Sequence, residues 1–194
     1  MIKALDVFKA FQPYRGKSIV ITTGIVGGHW REVTTNQARD VSLGGAMGQT
    51  TSAAFGLALG LPDEKVALFD SEGALLMNLG VLASVAGKKP KNFVHFLLDN
   101  GCYATTGGQP VPNAEGIDYA GLARAAGYAS THSFTDLEDF VTSVESIMEE
   151  SGPVFVAVKI VPEVENLPIG MRTRQPTRSR AETIRDLRQE LGIA

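Results

Sequence analysis

Residues 65–76 read KVALFDSEGALL, and the order of residue types across them decides the architecture. Lys65–Phe69 is a short, near-continuous apolar run, the composition of a strand covered on both faces. Asp70, Ser71, Glu72 and Gly73 interrupt it, and Ala74, Leu75 and Leu76 then resume with good helix formers. A strand that ends in acidic and small residues and passes into a helix is the opening of a βαβ unit.

The same alternation extends in both directions. Ser18–Thr22 (SIVIT), Phe93–Leu98 (FVHFLL) and Val154–Ile160 (VFVAVKI) are further strand-like runs. Met47–Leu59, Ala74–Ala86 and Tyr119–Ala126 are long enough and rich enough in alanine and leucine for helices. Thr135 and Glu138 have capping-box spacing ahead of a helix over Asp136–Glu150. Ser179 and Glu182 repeat that spacing before a last helix, which Gly192 can end. The N-terminal MIKALDVFKAF reads as a short amphipathic helix, not a signal peptide, because Lys3, Asp6 and Lys9 interrupt it. The order predicts a three-layer α/β sandwich with a mostly parallel central sheet. We expect a single domain over residues 1–194, with a basic C-terminal extension over 161–194.

Composition narrows the function classes. With 44% hydrophobic residues, 20% charged residues and a net charge of −3, the chain gives no reason to expect a nucleic acid or an anionic membrane surface as partner. No apolar run approaches the roughly 20 residues of a membrane span. The single cysteine, Cys102, cannot form an internal disulfide, which fits a reducing, cytoplasmic setting. Residues 171–194 hold six arginines against three acids. That tail reads either as a solvated surface or as a contact with a partner subunit or an anionic ligand. Val161–Thr177, with three prolines, has the look of a linker.

In a parallel α/β sheet, ligands bind beyond the carboxyl ends of the strands. The segments to read for chemistry are therefore Thr22–Gly28, Ser42–Gly48, Asp70–Ala74 and Asp99–Gln109. The glycines of Ser42–Gly48 let a backbone approach a ligand closely, though they equally suit a bare tight turn. In Phe69–Ala74 a carboxylate stands beside the amides of a helix start, though Ser71 or Asp70 as an N-cap would account for much of the pattern. In Leu97–Tyr103, Asn100 offers an amide oxygen and the following turn offers carbonyls, the hard oxygen donors that Mg²⁺ selects. Gly73 and Asp99 are separated by 25 residues, enough for one helix and one strand. That spacing brings two strand ends side by side.

This arrangement resembles the thiamine-diphosphate motif of the pyruvate-decarboxylase superfamily, in which Gly-Asp-Gly is followed at such a distance by Asn-Asn. Here the first element reads Ser71-Glu72-Gly73. The resemblance runs over roughly residues 18–160 and is carried by Thr22-Thr23-Gly24, GGAMG (44–48), GALLMNLG (73–80), LDNGCY (98–103) and TGGQP (106–110). It is nearest to phosphonopyruvate and sulfopyruvate decarboxylases, and in length and content to the β subunit of the latter. Where those relatives carry a Thr-Ser-Arg-Glu-Leu-like stretch, this chain has Val26–Glu32, VGGHWRE.

The resemblance implies thiamine diphosphate and Mg²⁺ as cofactors and a small 2-oxo acid as substrate. It assigns the metal to Glu72, Asn100 and the backbone carbonyl of Cys102. Gly73 and Ala74 would meet the diphosphate through their amides, with Thr23, Gly24, Ser71 and Tyr103 close by. The Gly45 carbonyl would accept from the aminopyrimidine, beside Ala46. Met47 would be the apolar wedge that bends the cofactor, and His29 is the histidine expected near substrate. A partner is also implied: a second subunit with the aminopyrimidine-binding domain and the activating glutamate, neither of which this chain is expected to supply.

Other readings stand beside these. Gly24–Gly28 loosely imitates a dinucleotide turn of a nicotinamide-dependent oxidoreductase, but it lacks the G-x-G-x-x-G spacing and no clear helix pattern follows. A carboligase subunit and a non-catalytic subunit of the same fold are further alternatives. Cys102 has no basic neighbour in sequence to activate it and reads as a packed thiol. His95 and the stripe Leu75–Met77 read as core, His132 as a residue near a strand end, and Gln109 as a substrate-loop residue.

Overall fold

The computed structural model describes residues 1–24, 26–43, 46–167, 171 and 177–193. In chain order its strands are β1 (Ile19–Thr22), β2 (Asp40–Val41), β3 (Val66–Ser71), β4 (Phe93–Asp99), β5 (Cys102–Tyr103), β6 (Gln109–Pro110), β7 (Ser130–Phe134) and β8 (Val154–Lys159). Its helices are α1 (Ala4–Phe11), α2 (Val26–Val33), α3 (Thr50–Gly60), α4 (Glu72–Leu76), α5 (Val81–Lys88), α6 (Tyr119–Ala126), α7 (Leu137–Glu149) and α8 (Arg180–Glu190). Six strands form one sheet in the order β2-β1-β3-β4-β8-β7, and every pairing is parallel. β5 and β6 make a separate antiparallel ribbon.

Strand side chains alternate between two cores, which is why the apolar runs are nearly continuous. Ile19, Ile21, Leu68 and Leu97 face helices α3, α5 and α6 through Ala54, Val85 and Ala123. Val20, Phe69, Phe96 and Val156 face α1, α2 and α7 through Phe8, Trp30 and Phe140. The three-layer sandwich is thus as expected. The chain leaves β1 for β2 on one side and returns to β3 on the other, so the switch in strand order falls between β1 and β3. Crevices open at such a point.

Local expectations needed revision in several places. The helix expected from Met47 starts at Thr50, because Gly48 adopts φ +83°, outside the right-handed helical region. The helix expected over Ala74–Ala86 is two, and the turn between them carries the Asn78 amide to the Gly48 carbonyl, 3.0 Å away. Met77 in that turn is 55% exposed, so the stripe Leu75–Met77 is core only in part. A helix, α2, does form here, starting at Val26 within Gly24–Gly28. Its glycines each cost about 1 kcal/mol of helix propensity, but Trp30 anchors it, buried 5.7 Å from Phe8 and 5.6 Å from Phe11. The cap of α7 is Asp136, not Thr135: its carboxylate accepts from the amides of Glu138 and Asp139, and a charged acceptor is the stronger partner. The Ser179–Glu182 capping box forms as read.

From Arg178 on, the described residues of the basic C-terminal segment pack onto their own chain. Arg178 donates to the carbonyls of Gln37 and Asp40 and pairs with Asp186 at 2.9 Å. Arg39 reaches Glu190 at 3.3 Å, and the Ser42 amide donates to Thr183. Arg172 and Arg174 lie outside the described residues, as does Gly45. β7 is an edge strand with mixed polarity, hence invisible as an apolar run. His132 lies within it, 2.9 Å from Glu150. Among the described residues, no helix is long and apolar enough to cross a membrane.

Candidate functional site

The end of β3 and the first residue of α4 carry two buried carboxylates, Asp70 and Glu72, in opposite situations. Asp70 is fully buried and well supplied with donors. It accepts from the hydroxyl of Thr51, from the Ser71 amide at 2.9 Å and from the Thr23 hydroxyl at 3.4 Å. His95 Nε2 stands 3.7 Å from the same carboxylate, and His95 Nδ1 lies 3.4 Å from the Tyr128 hydroxyl. One side chain thereby ties the end of β1, the first turn of α3 and the β3–α4 turn together. His95 is core, as expected. Sequence reasoning weighed Asp70 only as a cap and overlooked Thr51.

Glu72 is also fully buried, yet neither carboxylate oxygen has a hydrogen-bond partner. Burial, aided by the negative charge of Asp99, raises its pKa from 4.5 to about 7. Its own backbone amide and those of Asn100 and Cys102 pull the other way without closing a hydrogen bond. Asp99 itself is held by Lys159 at 3.0 Å and by the Gly101 amide. The Asn100 side-chain oxygen accepts from the Cys102 amide at 2.9 Å, an Asx turn that leaves one lone pair for another partner. β3 and β4 pair in register up to Ser71 and Leu98, which sets Glu72 beside the Asn100–Cys102 turn.

An orphaned buried carboxylate is costly, and a small hard cation would relieve it. The available donors are one carboxylate, the Asn100 amide oxygen and the carbonyls of its turn, which suit Mg²⁺. Among the described residues no group of three His, Cys, Asp or Glu side chains gathers around a metal position. A cation here would rely on amide and carbonyl oxygens. Burial and the charge of Glu72 push the Cys102 thiol up, away from a nucleophile's range. Tyr119 is a neighbour that sequence reasoning missed: its buried hydroxyl lacks a partner, and burial with the charges of Asp99 and Glu72 raises its pKa.

Gly73 lies under the ring of Tyr103. A Cβ there would stand 2.8 Å from the ring, so only glycine permits this approach. Ser71 caps α4 by accepting from the Ala74 amide at 3.4 Å, a long bond that a stronger acceptor could replace.

A cleft of about 450 Å³ opens beside these residues, between the ends of β1 and β3. Thr23, Gly24, Ala46, Met47, Ser71 and Ala74 all line it. Six sequence-derived site residues thus share one cavity, while Glu72, Gly73, Asn100, Cys102 and Tyr103 form the adjoining group. Met47 is 42% exposed at its rim. His29 is absent from the lining, turned aside to Glu163 at 2.7 Å. Gln109 is exposed, and its side-chain oxygen accepts from the Thr106 hydroxyl.

Comparison with known proteins bears on this site. Residues 23–158, well over half of the chain, match the family described as thiamine pyrophosphate enzyme, C-terminal TPP binding domain. The chain is 36% identical over 163 residues to a phosphonopyruvate decarboxylase of Streptomyces viridochromogenes, covering 83% of this chain and 40% of that protein. It is 37% identical over 125 residues to sulfopyruvate decarboxylase subunit beta of Methanothermobacter thermautotrophicus, covering 64% of each. The crystal structure of benzoylformate decarboxylase from Polynucleobacter necessarius superposes with a TM-score of 0.69 at 18% identity, over 84% of this chain and 33% of that one, and so shares the fold. The chain spans less than half the length of the phosphonopyruvate decarboxylases it matches. With the cleft, the two strand-end turns and the family match in agreement, the chain belongs to the thiamine pyrophosphate enzyme family and carries its C-terminal cofactor-binding domain.

Proposed function

We propose that this chain is the diphosphate- and Mg²⁺-binding half of a thiamine-diphosphate-dependent decarboxylase for a small 2-oxo acid of the sulfopyruvate or phosphonopyruvate kind. A second subunit completes its site. The observation that carries the reading is the Glu72 carboxylate, buried without a hydrogen bond beside the Asn100–Cys102 turn. A fold that buries a bare carboxylate at a strand end, next to hard oxygen donors, suits a cation and the phosphates that accompany it.

When bound, thiamine diphosphate supplies the nucleophilic carbon and the electron sink that decarboxylation of a 2-oxo acid requires. The chain's own part is to hold and shield. Glu72, Asn100 and the Cys102 carbonyl hold Mg²⁺; the amides of Gly73 and Ala74, with Thr23, Gly24, Ser71 and Tyr103 nearby, take the diphosphate. Gly45 and Ala46 meet the aminopyrimidine, and Met47, exposed at the cleft rim, is the wedge beneath the cofactor.

The second subunit carries the aminopyrimidine-binding domain and the activating glutamate. Support for it lies in a relative named as subunit beta, and in the Met47 side chain left exposed at the cleft rim. We place the assembly in the cytoplasm. The test is to assay decarboxylation of sulfopyruvate and phosphonopyruvate, with thiamine diphosphate and Mg²⁺, by the chain alone and after reconstitution with a sulfopyruvate decarboxylase α-type subunit. Turnover only in the mixture is expected. Robust turnover by the lone chain would refute the split site, and no turnover with no Mg²⁺-dependent cofactor binding in either sample would refute the whole reading.

A further inference from the structure

The cleft between β1 and β3 is lined by hydroxyls and by three charged side chains, Arg31, Asp40 and Arg178. Two of the three are already balanced. Asp40 pairs with the buried Arg15 at 3.2 Å and accepts from Thr34 at 2.6 Å. Arg178 holds Asp186 and the carbonyls of Gln37 and Asp40. Arg31 forms no ion pair or hydrogen bond with the described residues. Glu32, on the same helix, and Glu163 lie 3.8 Å and 2.7 Å from His29. Among the described residues, the cleft wall therefore keeps one unmatched positive charge.

The position of that charge is built into α2. A Cβ on Gly27 would stand 3.9 Å from Arg31 Nη1, and one on Gly28 would stand 3.8 Å from Nη2. These glycines lie four and three residues before Arg31, on the same helix face. The guanidinium lies back along that face, within van der Waals reach of both glycine positions. The hydroxyl of Thr22 converges on the same spot, 2.9 Å from a Cβ on Gly27. An unmatched guanidinium on open surface means little. In a concave site with low-dielectric walls, its field is focused on whatever enters.

We infer that Arg31, with the Thr22 hydroxyl beside it, anchors an anionic oxygen group in the cleft. The chemistry is that of a phosphate, phosphonate or sulfonate, whose oxygens match the guanidinium fork. Given the proposed function, on which this naming of sources rests, the group is either the acidic tail of the substrate or the diphosphate of the cofactor. The Val26–Glu32 stretch supplies both the arginine and the two glycines it lies against.

Calorimetric titration of the full chain and of its Arg31→Ala and Arg31→Lys variants separates these sources. The probes are phosphonoacetate, inorganic pyrophosphate with Mg²⁺, and thiamine diphosphate with Mg²⁺. Arg31→Ala should weaken at least one of them tenfold or more, and Arg31→Lys should recover only part of the loss. Because Arg31 is exposed, the variants should keep the parent's melting temperature. Loss confined to phosphonoacetate assigns the anchor to the substrate's tail; loss with pyrophosphate and thiamine diphosphate assigns it to the cofactor. Unchanged affinity for all three probes in Arg31→Ala, or no binding of any of them to the parent, overturns the inference. Arg31-dependent binding of pyrophosphate or phosphonoacetate by a chain that does not bind thiamine diphosphate would leave the anchor standing and the proposed function not.

Discussion

Replacing Glu72 by glutamine should stabilise the cation-free protein, and should do so only at neutral and alkaline pH. In the unfolded chain the carboxyl titrates near 4.5; folded, it titrates near 7. Below pH 4.5 both states hold the proton and burial carries no electrostatic cost. Between 4.5 and 7 the folded state keeps a proton that the unfolded state has released, so stability falls as pH rises. Above 7 the full cost is present. At about 1.4 kcal/mol for each pH unit between the two pKa values, it comes to about 3 kcal/mol. That is a large share of the roughly 5–15 kcal/mol that holds a domain together. Glutamine has the same shape without the charge and escapes the cost.

Urea denaturation of parent and Glu72→Gln, in the presence of a chelator, would measure this. Near pH 5 the two should differ little, and near pH 8 the variant should be more stable by about 3 kcal/mol. Added Mg²⁺ should then raise the parent's stability at pH 8 by the usual mass-action term and leave the variant unchanged. A variant no more stable than the parent at pH 8 would refute the claim that the carboxylate is buried and unsupported. A gain equal at both pH values would trace it to packing instead of charge. A gain at pH 8 with no response of the parent to Mg²⁺ would remove Glu72 from the metal site while keeping the electrostatics.

The neighbouring residues give further outcomes. Gly73→Ala places a Cβ 2.8 Å from the Tyr103 ring; the overpacking should cost about 1–3 kcal/mol, measured by denaturation, and Tyr103→Ala in the same chain should return part of it. Asp70→Asn should cost about 2 kcal/mol through its charge-assisted hydrogen bonds, and combining it with Thr51→Val should cost less than the two changes apart, because the residues share a bond. Asn100→Ala should lose Mg²⁺-dependent thiamine-diphosphate binding by calorimetry, with only about 1 kcal/mol of stability lost with the Asx turn; unchanged cofactor affinity would exclude Asn100 from the site.

The sheet was legible wherever burial on both faces made a strand uniformly apolar, as in SIVIT, KVALF, FVHFLL and VFVAVKI. β7, reading STHSF at the sheet edge, offers no such run, and its pairing with β8 is a tertiary fact. α2 was hidden because glycine propensity argues against a helix, and Trp30 decides the matter through Phe8 and Phe11, distant in sequence. The cleft's residues were legible as strand-end segments, since topology alone brings Thr23, Ala46, Ser71 and Ala74 together. Charge balance was not legible. That His29 faces Glu163, 134 residues away, while Arg31 finds no partner among the described residues, depends on side-chain directions that local spacing does not encode.

Asp70 and Glu72 make the sharpest internal comparison. They are two residues apart and equally buried, and for each the obvious helper is a nearby hydroxyl or amide. Asp70 takes two hydroxyls and an amide. Glu72 has amides within electrostatic reach on the Asn100–Cys102 turn, yet no bond closes. The Cys102 amide is engaged by the Asn100 side chain, and the Gly101 amide by Asp99. The turn thus engages two of its own amides, and no hydrogen bond closes on Glu72. A chain able to saturate one buried carboxylate so fully is not short of donors at the other. Satisfying Glu72 would stabilise the apo fold by a few kcal/mol, but it would cover the lone pairs that a cation needs. A cost confined to one strand end and removable by a single cation is the pattern of a binding site held open at the expense of stability.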